Sequence, residues 1–149
     1  MQKNIRQIIV NEAITWLKTP WHHQANIKNV GVDCCQLIIE VYKSCNLLTQ
    51  DFNVQNYAKD WHLHRTEQMF LFYVYQHCIK VDKALKGDIA LFSFGRTISH
   101  GGIMINDNEV IHAFIDVKQV CISDLSTNID LKNRLHGFYR LKQLEAENT

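Results

Sequence analysis

No long hydrophobic run occurs in this sequence, and nothing in it approaches the ~20 apolar residues that a membrane-spanning helix needs. Charge of one sign is lacking too. Lys and Arg total 16 against 15 Asp and Glu, a net charge of +1, so the basic surplus that favours nucleic acid or an anionic membrane surface is missing. No two cysteines stand at C-x-x-C spacing. The cysteines number five (Cys34, Cys35, Cys45, Cys78 and Cys121); this odd count argues against a disulfide framework, and the spacing argues against a cysteine-built zinc site. Cys45, Cys78 and Cys121 are expected in the core as small apolar residues. Repeats, low-complexity tracts and internal linkers are absent, so residues 1–149 are expected to form one domain. The opening stretch "MQKNIRQIIVNEAITWLKTP" is broken by Asn4, Arg6, Asn11 and Glu12. It does not read as a signal peptide, and the expected place of synthesis is the cytoplasm.

What is present is the composition of a soluble globular chain, 46% hydrophobic and 21% charged. Apolar spacing predicts a helix over Ile5 to Lys18, ended by Thr19-Pro20. Trp21 to Val32 is polar and loop-like. Cys34 to Cys45 reads as a second helix with Asp33 as its N-cap, and Thr66 to Cys78 as a third, with Thr66 as a candidate cap. Short strand-like runs follow at Asp88 to Phe94, His100 to Asn106, Glu109 to Ile115 and Lys118 to Ser123. Asp124 to Leu135 is expected to form a short helix and His136 to Lys142 a last strand. Helices first and an antiparallel sheet after them define an α+β fold.

The stretch "GVDCCQLI" (Gly31 to Ile38) puts a thiol in the first turn of a helix. A helix N-terminus favours the thiolate and offers backbone N–H groups to an oxyanion. Two cysteines in tandem on a helix are turned by about 100° from each other, so Cys34 and Cys35 do not form a two-sulfur site. A nucleophilic Cys34 needs a histidine to take its proton and a third polar group to orient that histidine. His100 and His112 are the candidates. A two-residue turn at Asp107-Asn108 would put them on opposite sheet faces. A three-residue loop, Asn106 to Asn108, would pair Gly102 with His112 and bring His100 diagonally onto the same face. Gly101 and Gly102 are expected to leave space beside His100 for a substrate backbone. Read alone, a cysteine before an apolar helix is core, and a histidine on a strand is a half-buried structural residue; the combination is what points to catalysis.

These motifs resemble the NlpC and p-sixty cell-wall cysteine peptidases. "GVDCCQLI" is similar to their G-x-D-C-S-G-L, "KGDIALFSF" to G-D-L-V-x-F, and "SHGGIMINDNEVIHAF" to H-V-G-I…I-H-A. "AITWLKTPWHHQANIKNVGVDC" resembles the phage-tail subgroup, with its W-L-G-T-P-F-x-H-Q and G-V-G-V-D-C. The likeness runs from about Ile8 to Leu141. It implies a papain-like (NlpC-type) fold, Cys34 as nucleophile, His100 as base, His112 as the residue that holds the His100 ring, and Asp33 as cap and oxyanion support. It also implies a thioester acyl-enzyme, no metal or other cofactor, and a peptidoglycan stem peptide as substrate, cut next to D-glutamate and diaminopimelate. Trp21, His23, Gln24, Gly101 and Gly102 are the implied substrate-binding residues, and phage tail proteins the candidate partners, with a phage tail or phage-derived particle as the carrier. Departures are Cys35 for a small Ser or Ala, Gln36 for Gly, Gly101 for a β-branched residue and Trp21 for Tyr or Phe. Rival readings are an acyltransferase or amidase on the same fold, a non-catalytic tail component, and a zinc hydrolase using His22-His23 or His62 and His64. Asp60-Trp61 is a candidate groove wall or a packed surface tryptophan.

Overall fold

The computed structural model describes residues 4–52 and 62–147, with side chains from residue 70 onward in the second segment as far as Glu145. Helix α1 spans Ile5–Ile14. The Asn4 side chain caps it by accepting from the amides of Arg6 and Gln7 at 3.1 and 3.3 Å. It ends four residues before the expected Lys18. Thr15 to Thr19 continue in tight i→i−3 turns, and Lys18, at φ 70°, leaves the helical path. The reason is tertiary: the Lys18 N–H is spent on the Val120 carbonyl at 3.0 Å.

The stretch expected to be loop holds a small hairpin, β1 (Asn26–Ile27) and β2 (Gly31–Val32). Helix α2 (Cys34–Ser44) follows at once, capped by Asp33 as the sequence predicts. Leu37, Ile38, Ile39, Val41 and Tyr42 are all buried, so α2 is apolar on most of its circumference and runs through the centre of the molecule. Tyr42 donates its hydroxyl to the Gly87 carbonyl at 2.7 Å, satisfying the one polar atom it brings inside.

Helix α3 (His62–His77) begins before Thr66, which therefore lies inside the helix rather than at its cap. Cys78 is not its end but the start of a strand that the sequence pattern did not reveal, β3 (Cys78–Val81). Strands β4 (Ile89–Phe94), β6 (Glu109–Phe114) and β7 (Gln119–Asp124) follow the expected runs to within a residue, whereas β5 (Thr97–Met104) starts three residues before the expected His100 and ends two before Asn106. The predicted helix over 124–135 shrinks to α4 (Ile129–Asn133), because the Asp124 carboxylate accepts from the Ser126 amide and hydroxyl at 2.8 and 2.6 Å and forms a turn instead. Strand β8 (Leu135–Leu141) and a further helix, α5 (Lys142–Glu147), end the described chain. His62 opens α3; Asp60-Trp61 and the side chains of His62 and His64 lie outside the described residues.

The six strands form one antiparallel sheet in the order β3-β8-β4-β5-β6-β7. Ile89, Leu91, Ile103, Ile111 and Ala113 face the helices in the main core, with Ile9, Ala13, Leu37 and Val41. The alternate residues Ala90, Phe92, Met104 and Val110 pack with Leu125 and Leu131 in a second, smaller core. Both faces are thus covered in the middle of the sheet, which explains strands that read as nearly continuous apolar runs. The fold is the expected α+β, papain-like arrangement of N-terminal helices on an antiparallel sheet.

Two local features of the sheet position the site. The β5–β6 connection has Ile103 opposite Ile111 and Met104 opposite Val110, with the Ile105 amide on the Glu109 carbonyl at 2.9 Å. This is the three-residue loop Asn106 to Asn108, and its register sets Gly102 against His112. On the other side of β5 the register slips: Phe92 pairs with His100 but Ser93 with Ile98. Ser99 is the extra residue of a β-bulge, a device that re-aims neighbouring side chains.

Candidate active site

Asp33 is extended (φ −107°, ψ −179°) and only 5% exposed. One carboxylate oxygen accepts from the Gln36 amide at 2.9 Å and the other from the Gln24 amide at 2.7 Å. It therefore ties the start of α2 to the preceding loop. Burial raises its pKa from the usual carboxylate value, and these amide donors and the nearby His23 pull against that rise. His23 Nδ1 lies 3.8 Å from the Asp33 carboxylate.

Cys34 is the first residue of α2 and is half-buried. Its Sγ lies 3.9 Å from the carbonyl oxygen of the bulged Ser99. Cys34 and His100 line the same cleft of about 380 Å³, together with Trp21, His23, Asp33, Phe94, Phe114 and Arg134. A much smaller apolar cavity lies beyond Cys34, against Ile38, Phe70 and Leu91.

His100 is 8% exposed and His112 fully buried. His100 Nε2 is 2.7 Å from His112 Nδ1, and His112 Nε2 is 2.8 Å from the Ser123 hydroxyl. Phe114 stacks on His112 at 4.9 Å and tilts against His100 at 5.2 Å, while Phe92 and Phe94 close the other sides of the His100 ring. Burial in this aromatic box, and then the neighbouring His112, push His100 down to about 3; burial alone takes His112 to about 4. Both rings are neutral at neutral pH. A self-consistent chain then exists: His112 Nε2–H donates to Ser123, His112 Nδ1 accepts from His100 Nε2–H, and His100 Nδ1 keeps its lone pair.

The structure gathers most, but not all, of the residues singled out in the sequence. Trp21 and His23 line the cleft and stack at 6.4 Å. Gln24 contributes its backbone N–H to Asp33 and is not among the described residues lining the cleft. Gly102 does not open space for a substrate: a Cβ there would lie 2.6 Å from Val110 Cγ2, 2.7 Å from the Ile111 carbonyl and 2.9 Å from His112 Cβ. Gly101 borders the small cavity, and a Cβ on it would meet Leu91, Ala90 and Ile38 at 3.2–3.3 Å. Both glycines serve close packing of β5 between its neighbours. Cys35 is largely buried but lines the cleft beside Cys34, and Gln36 is not among the described residues lining it.

Cys121, expected in the core, is half-exposed, with its Sγ 3.8 Å from His112 Nε2. Cys45 and Cys78 are buried as expected, and burial pushes their thiols up to about 11 and about 12. Ser123, Phe94, Phe114 and Arg134 were missed. The register could have found Ser123: Cys121 pairs with His112, so Ser123, two residues on, shares its face. Among the described residues, no three His, Cys, Asp or Glu side chains converge as metal ligands, and no helix is long and apolar enough to cross a membrane.

This arrangement, a thiol at a helix N-terminus facing a sheet-borne histidine pair, is that of a papain-like cysteine-peptidase superfamily. The profile of the NlpC/P60 family matches residues 18–140, and the chain belongs to that family. Curated protein sequences give no significant match. Among solved structures, an NLP/P60-family lipoprotein-like protein from Staphylococcus aureus superposes with a TM-score of 0.64 at 20% identity, over 95% of this chain and 42% of the other. The NlpC/P60 domain of the peptidoglycan hydrolase SagA gives 0.59 at 18% identity, over 90% and 96%. An N-acetylmuramoyl-L-alanine amidase from Bacteroides uniformis gives 0.59 at 14%, over 94% and 100%. The chain thus spans about two-fifths of the staphylococcal structure, and at these identities the likeness is one of fold.

Proposed function

We propose that this protein is a cysteine peptidase that hydrolyses peptide bonds in bacterial cell-wall stem peptides. The observation that carries the reading is the convergence of Cys34, at the first turn of α2, with His100 in one cleft, the His100 ring being held from behind by His112. His100 Nδ1 takes the thiol proton as Cys34 Sγ attacks the scissile carbonyl. The oxyanion of the tetrahedral intermediate is met by the N-terminal end of α2. His100 then passes its proton to the leaving amine, and the acyl group stays on Cys34 as a thioester. Water, deprotonated by the same ring, releases the acid and restores the thiol. Through all of this His112 holds the imidazole, anchored in turn by Ser123.

The substrate part of the proposal rests on family membership and on the resemblance of Gly31 to Ile38 and Ser99 to Phe114 to cell-wall peptidase motifs. We place the cut next to D-glutamate. The phage-tail association rests on the Ala13 to Cys34 stretch and its likeness to that subgroup. A second reading, cleavage of the bond between the sugar lactyl group and L-alanine, is the activity named for the Bacteroides protein.

Digestion of purified muropeptides, with the products weighed by mass spectrometry, separates the two readings. Peptide fragments cut within the stem support the peptidase; intact stem peptides freed from sugar support the amidase. Full activity in Cys34→Ala would overturn both.

A further inference from the structure

Arg134 closes the C-terminus of α4 and reaches the cleft that holds Cys34 and His100. Its guanidinium carbon stands 4.4 Å from the centre of the Phe94 ring, and Phe94 meets the His100 ring edge-on at 5.8 Å. The cation is thus separated from the base by a single aromatic ring. Arg134 Nε donates to Asp130 Oδ2 at 3.2 Å. Among the described residues, neither Nη has an acceptor. The cation–π contact and the Nε bond fix the guanidinium plane and leave its two-pronged Nη edge to a ligand. The side chain is 35% exposed, accessible yet partly shielded from water.

A guanidinium fork matches a carboxylate, which accepts two parallel N–H···O bonds. A carboxamide offers one acceptor and turns its own N–H donors towards the cation. Asp116 and Asp130 line the same cleft, so the cleft is not a general trap for anions, and the carboxylate must be delivered by a peptide held elsewhere along it. We propose that Arg134 is a specificity residue that pairs with a free α-carboxylate on the residue next to the scissile bond. The protein would then take stem peptides whose D-glutamate α-carboxylate is free and discriminate against those in which it is amidated. This inference rests on the peptidase reading above.

The test compares kcat/KM for L-alanyl-γ-D-glutamyl-L-lysine and for the same peptide with the D-glutamate α-carboxylate converted to the amide. The free acid is expected to be preferred about ten- to a hundredfold. Arg134→Gln should bring that ratio to within about twofold, and Arg134→Lys, with charge but no fork, should leave it intermediate. A wild-type ratio near one overturns the inference, and so does a preference that survives in Arg134→Gln. If the wild-type protein cleaves neither peptide, the peptidase reading fails separately. Calorimetry of both peptides on Cys34→Ala then judges Arg134. Tighter binding of the free acid that disappears in Cys34→Ala/Arg134→Gln supports the inference; equal binding, or none, overturns it.

Discussion

Two neutral imidazoles buried in the middle of a sheet make the fold acid-labile by an amount that follows from their environment. His100 titrates at about 3 and His112 at about 4 in the folded protein, against about 6.5 in an unfolded chain. Their folded values are depressed, so the unfolded state binds more protons. The stability is fully present above pH 6.5 and is lost as pH falls towards the folded values. At pH 4.5, two units below the unfolded value, each ring costs about 2.6 kcal/mol, so the pair costs about 5 kcal/mol. That is a large share of the 5–15 kcal/mol typical of a domain.

Urea unfolding at pH 7.5 and 4.5 measures this loss directly. Carboxylates also titrate over part of this range, so the comparison is with His100→Asn/His112→Gln. The double variant should lose about 5 kcal/mol less between the two pH values, whatever its stability at pH 7.5. Cys34→Ala should lose as much as the wild type, because burial and the neighbouring ring, not Cys34, set the depressed values of the two histidines. Equal pH sensitivity in the wild type and the double variant would refute the buried-neutral account. A Cys34→Ala variant more acid-labile than the wild type would show instead that a thiolate at Cys34 holds a proton on His100 in the resting protein.

Gly102→Ala should destabilise by about 1–3 kcal/mol or more, since its methyl would meet backbone and β-branched atoms that cannot swing away; a lowered urea midpoint with loss of activity is the expected result, and a neutral effect would contradict the β5–β6 register. Asp88 is fully buried and accepts from Arg6 and Arg140 at 2.9–3.3 Å, so Asp88→Asn should cost about 3–5 kcal/mol by leaving two guanidinium groups poorly paired, read by the same unfolding assay. Cys35→Ala should keep hydrolysis within a few-fold of wild type while Cys34→Ala abolishes it, because Cys35, turned about 100° from Cys34 on α2, is largely buried and lines the cleft without being the attacking thiol. Ser123→Ala should lower kcat more than KM, about tenfold, by freeing His112 Nε2 and loosening the ring that holds His100.

The parts of the site legible in the sequence are those governed by local chemistry. Asp33 before an apolar helical pattern specifies a cap, and the cap sets which cysteine stands in the first turn. The three polar residues Asn106 to Asn108 specify a loop length, and loop length specifies which residues share a face. What escaped depends on contacts far along the chain. Helix α1 ends early because Lys18 is drawn to Val120. Strand β3 pairs with β8, some sixty residues away, and its own four residues carry no alternation to announce it. Gly101 and Gly102 read as open space because a missing side chain looks the same in a sequence whether a substrate or a neighbouring strand fills the gap. Arg134 and Phe94 come together only because α4 folds over the end of β4.

The same geometry explains why a histidine suits position 112. A residue there is fully buried, faces Cys121 and Ser123, and must accept a proton-bearing nitrogen from His100. A carboxylate could accept that bond, but it would carry its charge into a fully buried position, and burial would drive it towards its protonated form. Once protonated it would compete as a donor and no longer fix the tautomer of His100. A neutral imidazole accepts at Nδ1 and donates at Nε2, so both its polar atoms are satisfied without any buried charge. The histidine pair thus holds its hydrogen-bonded chain without placing a charge in the buried part of the site.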